Sequence, residues 1–489
     1  MGFKIVVLWT DLALWALFAG IGAYAWRVSR HPTLRATWRR VLRDPAALSA
    51  GLVLLVFVAI TLADSLHFRR ALPPSSAQGA GQAASQPAGR VFYDTRTESL
   101  LDLALARQLA MRESTYSQPL ATHALTRQTI TRGDGQIVRD HPRLAHGGAH
   151  LADPARDWAG DVMVRTATGV VGGLAVALLA GLGLAATVRG QHGGPGGAVR
   201  AIAADRTDLP LRALWFTGLV LCLLVGPVVA LMGHYHVFGT DKTGNDVLVQ
   251  ALKSVRTAFV IGMLSSLATL PIAVTLGILA GWFRGWVDEL VQYVYTTLSS
   301  VPNVLLIAAC VLMVQVALDK HPDWLDTGLE RSDVKVFLLC VILGVTGWAT
   351  LCRLVRAETM KLRELEFVQA ATAFGVPTGR IMTRHILPNV MHLVLITTVL
   401  NFSDLILYEA VLTYVGVGVD PSTSSFGGMI NLARSEMSRD PVVWWSFAAA
   451  FGFMVTLVLA ANLFADGVRD AFDPRARALR PRLALRKPA

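Results

Sequence analysis

An all-α polytopic membrane protein is the fold class this sequence predicts, and three observations predict it. Of the 489 residues, 53% are hydrophobic and only 16% charged. With a mean hydropathy of +0.48, the chain lies outside the range of water-soluble globular proteins. Nine apolar stretches reach membrane-spanning length. The basic residues behind the net charge of +11 cluster in short loops beside those stretches, and all such loops fall on one side when the spans are counted. The positive charge is therefore a topology signal, with the N-terminus outside and the C-terminus cytoplasmic, and it implies the lipid bilayer and no nucleic acid as partner. Cys222, Cys310, Cys340 and Cys352 all lie in or at the ends of apolar stretches without metal-ligand spacing, so neither a disulfide framework nor a zinc site is indicated.

The first span is residues 5–26, and Arg27, Arg30, Arg35, Arg39, Arg40 and Arg43 hold its C-terminal end in the cytoplasm. A cleaved signal peptide would carry its basic residues on the other flank, where only Lys4 stands, so the segment reads as an anchor. Residues 46–63 cross outward and deliver residues 64–165, which contain no membrane-length apolar run, to the far side. Within that insertion residues 73–89 form a Pro/Ser/Gly/Ala/Gln-rich linker without bulky side chains. Residues 100–111 carry helical periodicity, and residues 122–142 alternate Thr, Ile and Val around Gly133-Asp134-Gly135, the pattern of a hairpin. The insertion is thus expected to be a small α+β or partly disordered cap. His141, His146 and His150 are residue types that ligate metals, but their spacing fits no metal motif, and surface histidines in a Gly-rich loop are the reading adopted.

Residues 166–188 return inward, the basic Gly-rich loop 189–212 is cytoplasmic, and residues 213–232 go out again with Pro227 as a kink. The remaining spans are 257–283 around Pro271, 298–318, 336–351, 388–412 and 444–464. Arg353, Arg356, Lys361, Arg363, Arg380 and Arg384 fix the loop 353–385 in the cytoplasm.

Residues 366–389, EFVQAATAFGVPTGRIMTRHILPN, are polar enough for water yet lie between two apolar segments. Ala370, Ala371 and Ala373 let another surface approach a helix backbone, Gly375 ends that helix, and Pro377 starts a second. This hairpin, with Glu366 at its start and Ile386, Leu387, Pro388 and Asn389 leading back to the bilayer, resembles the loop by which permease subunits of bacterial ABC importers grip their ATPase subunits. Further motifs are similar to the dipeptide/oligopeptide-type permeases of that family. HVFGTDKTGNDVLVQALKSVRTAFVIG matches their segment before a core span at Gly239, Thr240, Asp241, Gly244, Asp246, Arg256 and Gly262, with Asn245 in place of the usual arginine. GWVDELVQYVYTTLSSVPN matches at Gly285, Trp286, Val287, Asp288, Glu289 and Pro302, but Tyr293 and Thr296 replace a basic and an acidic residue. EAVLTYVGVGV and the SSFGGM element follow, and the closing NLFADGVRDAFDPR matches at Asn462, Asp466, Gly467, Arg469, Asp470, Asp473, Pro474 and Arg475, with Ala465 for glycine.

The resemblance implies a six-span permease core with three extra spans. Residues 1–33 are an extra span, 34–63 the first core span, 64–165 the extracytoplasmic insertion and 166–233 an extra pair. Residues 234–477 are the core, which contains the ATPase-coupling loop 353–385, and 478–489 are a cytoplasmic tail. No GxxxxGK[ST] phosphate loop occurs, so the chain is not expected to be an ATPase and holds no cofactor. By the resemblance, ATP and Mg are bound by two partner ATPase subunits, a second permease subunit completes the channel, and an extracytoplasmic substrate-binding protein delivers the cargo at a bacterial inner membrane. The cargo implied is a peptide, with nickel complexes or other small solutes as alternatives. A secondary transporter would need no ATPase but should show repeated halves, which are not evident. A membrane enzyme would need ionisable residues converging within the spans, which are nearly free of them except at Asp404 and Glu409.

Those two carboxylates define a candidate translocation path. Asn401, Asp404 and Tyr408 fall on one helical face, with Glu409 beside them. Either Asp404 pairs with a group of the partner permease, or the stripe lines the path and attracts the amino terminus of a peptide. The insertion is expected to touch the binding protein or a neighbouring subunit, since so long a segment is seldom only a tether.

Overall fold

The computed structural model describes residues 3–71, 93–94, 97–131, 137–191, 194–321 and 328–472. Among these residues nine helices are long and apolar enough to cross a membrane. The protein is an all-α polytopic bundle with a few short strands confined to one end. That end carries the insertion; the opposite end carries the polar hairpin that begins at Glu366.

The chain starts in a strand. β1 (Phe3–Val6) pairs antiparallel with β2 (His67–Arg70), which pairs with β3 (Glu98–Ser99). The first crossing helix, α1, therefore runs Trp9–Arg30 and not from Ile5 as hydropathy suggests. Apolar residues at Phe3–Val6 find their backbone partners across a sheet, which a hydropathy window does not register. α2 (Pro32–Arg43) and α3 (Pro45–Asp64) follow, each opened by a proline at its first turn, where no N–H partner is lost.

A buried polar network fastens α1 to the rest. Asp11 accepts from the Arg256 guanidinium at 2.6 Å and lies 2.7 Å from Nδ1 of His67. The Thr10 backbone N–H donates to Asp333 at 3.0 Å, and Asp64 accepts from Ser99 at 2.7 Å. A largely buried cation such as Arg256, its side chain 13% exposed, is costly unless paired, and α1 supplies its partner.

The insertion continues through α4 (Leu100–Ala104) and α5 (Ala106–Ala110) to the antiparallel strands β4 (Gln128–Thr131) and β5 (Ile137–Asp140). Ser99 and Asp102 close a reciprocal capping box on α4. The Pro/Gly-rich linker at 73–89, the Gly133–Gly135 turn, the tail at 478–489 and the motif residues Asp473, Pro474 and Arg475 lie outside the described residues. The three histidines of the insertion take no shared ligand geometry: Nδ1 of His141 meets the Ala124 carbonyl at 3.0 Å, and His150 meets Asp161 at 2.9 Å.

α6 (Pro154–Val188) begins inside the expected insertion, well before residue 166. After α7 (Pro195–Ala203), α8 (Leu211–Leu231) returns along α6. Gly169 and Gly173 lie against the backbone of Cys222, Gly226 and Pro227, so the two helices touch main chain to main chain. Trp215 Nε1 donates to the Ala177 carbonyl at 3.0 Å. The pair leans on α3 through α8.

α9 (Val247–Phe283) is the most buried span and the axis of the bundle. α10 (Gly285–Ser300) and α11 (Asn303–Lys320) come next, and the crossing helix starts at Asn303, not near Leu298. Val301 stands before Pro302 and is extended at φ −90°, ψ 134°, the backbone a following proline favours, and the helix breaks there. α12 (Gly328–Arg363) packs tightly along α9. Gly344 meets Ala268, Gly277 meets Val355, and Gly281 meets Thr359, with no room for a Cβ at any of the three glycines. Beyond the hairpin, α15 (Leu387–Val415), α16 (Phe426–Glu436) and α17 (Trp445–Phe472) complete the bundle, after α13 (Glu366–Ala373) and α14 (Thr378–Ile381).

Candidate functional site

The hairpin is held by ion pairs at its base. Arg356 makes a two-pronged contact with Asp288, 2.6 Å at Nη2, which holds the Asp288 carboxyl below its usual range. Arg363 donates to the Trp282 carbonyl at 2.8 Å, and Arg284 reaches Glu364 at 2.5 Å. The ends of α9 and α12 and the start of α10 are thereby one platform.

From it project α13 and α14. Their junction is a Schellman turn: the Val376 N–H donates to Ala371 at 3.1 Å and Gly375 to Thr372 at 3.0 Å, with Gly375 at φ +73°. Glycine is required there by conformation, since open space surrounds the position. Glu366, Ala370, Gly375 and Pro388 are exposed, while Ala371 and Leu387 are half-buried. Ile386, expected in the contact set, is 0% exposed and packs with Val368, Ile381 and Val390. It roots the hairpin and cannot touch a partner, because the π-helical turn at Met382–Ile386 swings it inward. The residue that does stand out is Phe374, 87% exposed at the hairpin tip. Sequence reading missed it; a bulky apolar residue directly before the helix-ending glycine was the available signal.

At the other end, the loop from Gly239 to Asp246 is clamped by the insertion. Thr240 Oγ1 donates to the Thr115 carbonyl at 2.9 Å and accepts from the Ser117 N–H at 2.7 Å. Gly239 (φ +69°) and Gly244 (φ +77°) sit where a Cβ would collide with Ser117 and Glu113, so the motif glycines also admit the insertion's backbone. Asp241 accepts from the backbone of Thr243 and Asn245, forming a tight polar turn. Asp246 caps α9 through the Leu248 N–H and contacts Nδ1 of His236 at 2.8 Å.

His236 lies between two carboxylates, with Glu113 3.6 Å from its Nε2. Burial opposes the imidazolium, but Asp246 and Glu113 outweigh it and raise the His236 pKa to about 9. Glu113 is likewise opposed by burial, yet His236 and the N–H groups of Gly147, His146 and Ala145 lower it to about 2. This buried triad is the bolt between insertion and loop.

The proposed polar stripe on α15 is only partly assembled. Asp404 is exposed and has no hydrogen-bond or ion-pair partner among the described residues; Asn401 is half-buried, and Tyr408 packs on the apolar cluster around Leu412. Glu409 does not belong to it. At 1% exposure it points into the bundle, where Thr413 donates to it at 2.8 Å. One residue on from Tyr408 is about 100° around a helix, which turns Glu409 from the open face toward the core.

The family described as "Binding-protein-dependent transport system inner membrane component" matches residues 273–478. Curated relatives include the oligopeptide transport system permease protein OppC of Mycobacterium tuberculosis, 33% identical over 248 residues, 51% of this chain and 79% of the relative. The protein of the same name from Haemophilus influenzae is 31% identical over 50% of this chain and 72% of its own length. The dipeptide transport system permease protein DppC of Lactococcus lactis is 32% identical over 49% and 64% respectively. With the nine membrane-length helices among the described residues, these matches place the chain in the family of binding-protein-dependent transport system inner membrane components, to which it belongs.

Proposed function

We propose that this chain is a permease subunit of an ATP-driven importer that moves peptides delivered by a soluble binding protein. The observation that carries the reading is the hairpin, a rigid ion-paired platform that presents Phe374, Ala370 and Glu366 outward. An exposed aromatic on a Schellman-capped turn is an anchor for a groove in another protein. On this reading two ATPase subunits, which bind ATP and Mg, grip this hairpin and its counterpart in a second permease. Their closure tilts the bundle between two states. The peptide assignment rests on the relatives' names, which favour it over nickel complexes.

Orientation follows from charge. Arg27 and Arg30 end α1 and Arg35, Arg39, Arg40 and Arg43 lie on α2, whose Trp38 and Val41 pack with Leu395 and Phe472 toward the hairpin end; on this reading that end is cytoplasmic, and the insertion faces outward toward the binding protein. Asp404, open on α15 and without a partner among the described residues, either faces the path or meets the second permease. Reconstitution of the chain with its partner subunits in proteoliposomes is the test. ATP-dependent uptake of a tripeptide that needs this chain is expected; failure to copurify any ATPase subunit would sink the reading.

A further inference from the structure

Between the insertion and the bundle lies a cavity of about 890 Å³, within the size range of small-molecule sites. Its lining mixes apolar surface with polar side chains from separate parts of the chain: Gln108, Arg112 and Tyr116 of the insertion, Lys242 of the clamped loop, Asn431 and Ser435 of α16. Most charges around it are cancelled. Lys335 pairs with Asp420 at 2.8 Å, Lys253 with Asp102 at 2.5 Å, Arg331 with Asp319 at 2.7 Å and Arg439 with Glu436 at 2.8 Å. Asp246 is neutralised by His236. Asp241 is saturated by Thr243, Asn245 and Gln250, so its oxygens serve the turn and not a ligand.

Two cations of the lining have no carboxylate partner among the described residues: Arg112 and Lys242. Both are exposed, and their backbones are fixed. Arg112 Nε donates to the Thr243 carbonyl at 3.0 Å, which anchors the guanidinium at the backbone of the residue that follows Lys242. The adjacent Glu113 is bolted on both sides, its N–H to Gly244 at 3.0 Å and its carboxylate to the backbone of Ala145, His146 and Gly147. Arg112 thus keeps its Nη groups for a ligand while its position is locked.

The geometry points to a carboxylate subsite: Arg112 and Lys242 hold the C-terminal carboxylate of a peptide in the cavity, and the insertion thereby contributes to substrate selection. This rests on the peptide-import reading. Arginine offers paired N–H donors matched to a carboxylate, and lysine adds a point charge. The half-buried Asn431 of α16 supplies hydrogen bonds for the peptide backbone, whereas the Gln108 amide and the Ser435 hydroxyl already donate to the Met232 and Leu432 carbonyls.

The test is equilibrium binding of trialanine and of trialanine amide to the purified permease–ATPase complex without the binding protein, with trialanine uptake by the complete importer measured in parallel. The free acid should bind more tightly than the amide. Arg112→Gln and Lys242→Gln should each weaken the free acid about tenfold and leave the amide unchanged, while Arg112→Lys, which keeps the charge but loses the paired donors, retains only part of the preference. Equal weakening of both peptides, no change in either, or no binding to the wild type overturns the subsite. Loss of binding-protein docking with unchanged peptide binding assigns the cations to that protein and overturns it as well. Absence of trialanine uptake by the wild type counts against peptide import itself; uptake without carboxylate-dependent binding counts against the subsite alone.

Discussion

Replacing His236 with glutamine should loosen the insertion from the bundle, and the size of the effect follows from the triad. His236 is 1% exposed, with Asp246 at 2.8 Å and Glu113 at 3.6 Å. Its pKa rises from 6.5 to about 9, and at about 1.4 kcal/mol per unit the charged form is favoured by roughly 3 kcal/mol in the folded state. Because the folded pKa is the higher one, that contribution is full below pH 6.5 and disappears as the pH rises through about 9. Glu113 runs the other way: its pKa of about 2 means that its contribution is present above 4.5 and lost on acidification toward 2. Glutamine keeps a donor but not the charge, leaving two buried carboxylates facing one another, a loss of about 3 kcal/mol or more. The assay is hydrogen exchange of the insertion, Gln108 to Leu151, in purified protein. Protection in the wild type should fall roughly hundredfold between pH 6.5 and 9.5, after correction for intrinsic exchange. In the variant protection should start low and change little over that range. Equal protection in wild type and variant at pH 6.5 would refute the assignment of the triad as a clamp.

Three further outcomes are expected. Phe374→Ala should weaken ATPase copurification by at least about tenfold, since a buried aromatic contributes roughly 1.5–3 kcal/mol, without lowering the thermal midpoint of the chain; Gly375→Val, at φ +73°, should impair docking and add about 1–2 kcal/mol of local strain. Gly173→Leu should separate α6 from α8, detected as lost cross-linking between cysteines placed on the two helices, while ATPase copurification is kept; a retained cross-link would show that the close backbone contact is not essential. Asp404→Asn should lower uptake of peptides with a free amino terminus while the complex assembles normally. If assembly falls instead and transport per complex is unchanged, Asp404 meets the partner permease.

Much of the bundle is legible one segment at a time. Transfer of an apolar run into the bilayer depends on that run alone, so the nine membrane-length helices of the described residues could be anticipated from hydropathy, and Gly375 could be read as a helix stop from its neighbours. Local signals also located the strand pair β4–β5 and the helical turns after Ser99. Where a sequence-local argument failed, the deciding partner lay far along the chain. Phe3–Val6 became a strand because His67–Arg70 was there to receive it; the break at Val301, by contrast, has a local cause in the proline that follows it.

The candidate site divides in the same way. Residue types at Glu366, Ala370 and Gly375, and the loop Gly239–Asp246, single out two candidate sites from the sequence alone. Which side chains face outward was decided only by packing: Ile386 and Glu409 turn in, Phe374 stands out, and Asp404 stays open. The fastening of α1 through Asp11 and Arg256, and the bolt of Glu113 on His236, join residues more than a hundred positions apart. A sequence sets the solvent preference of each segment, but the orientation of a side chain within a bundle depends on which neighbour its helix packs against, and that pairing exists only in the folded chain.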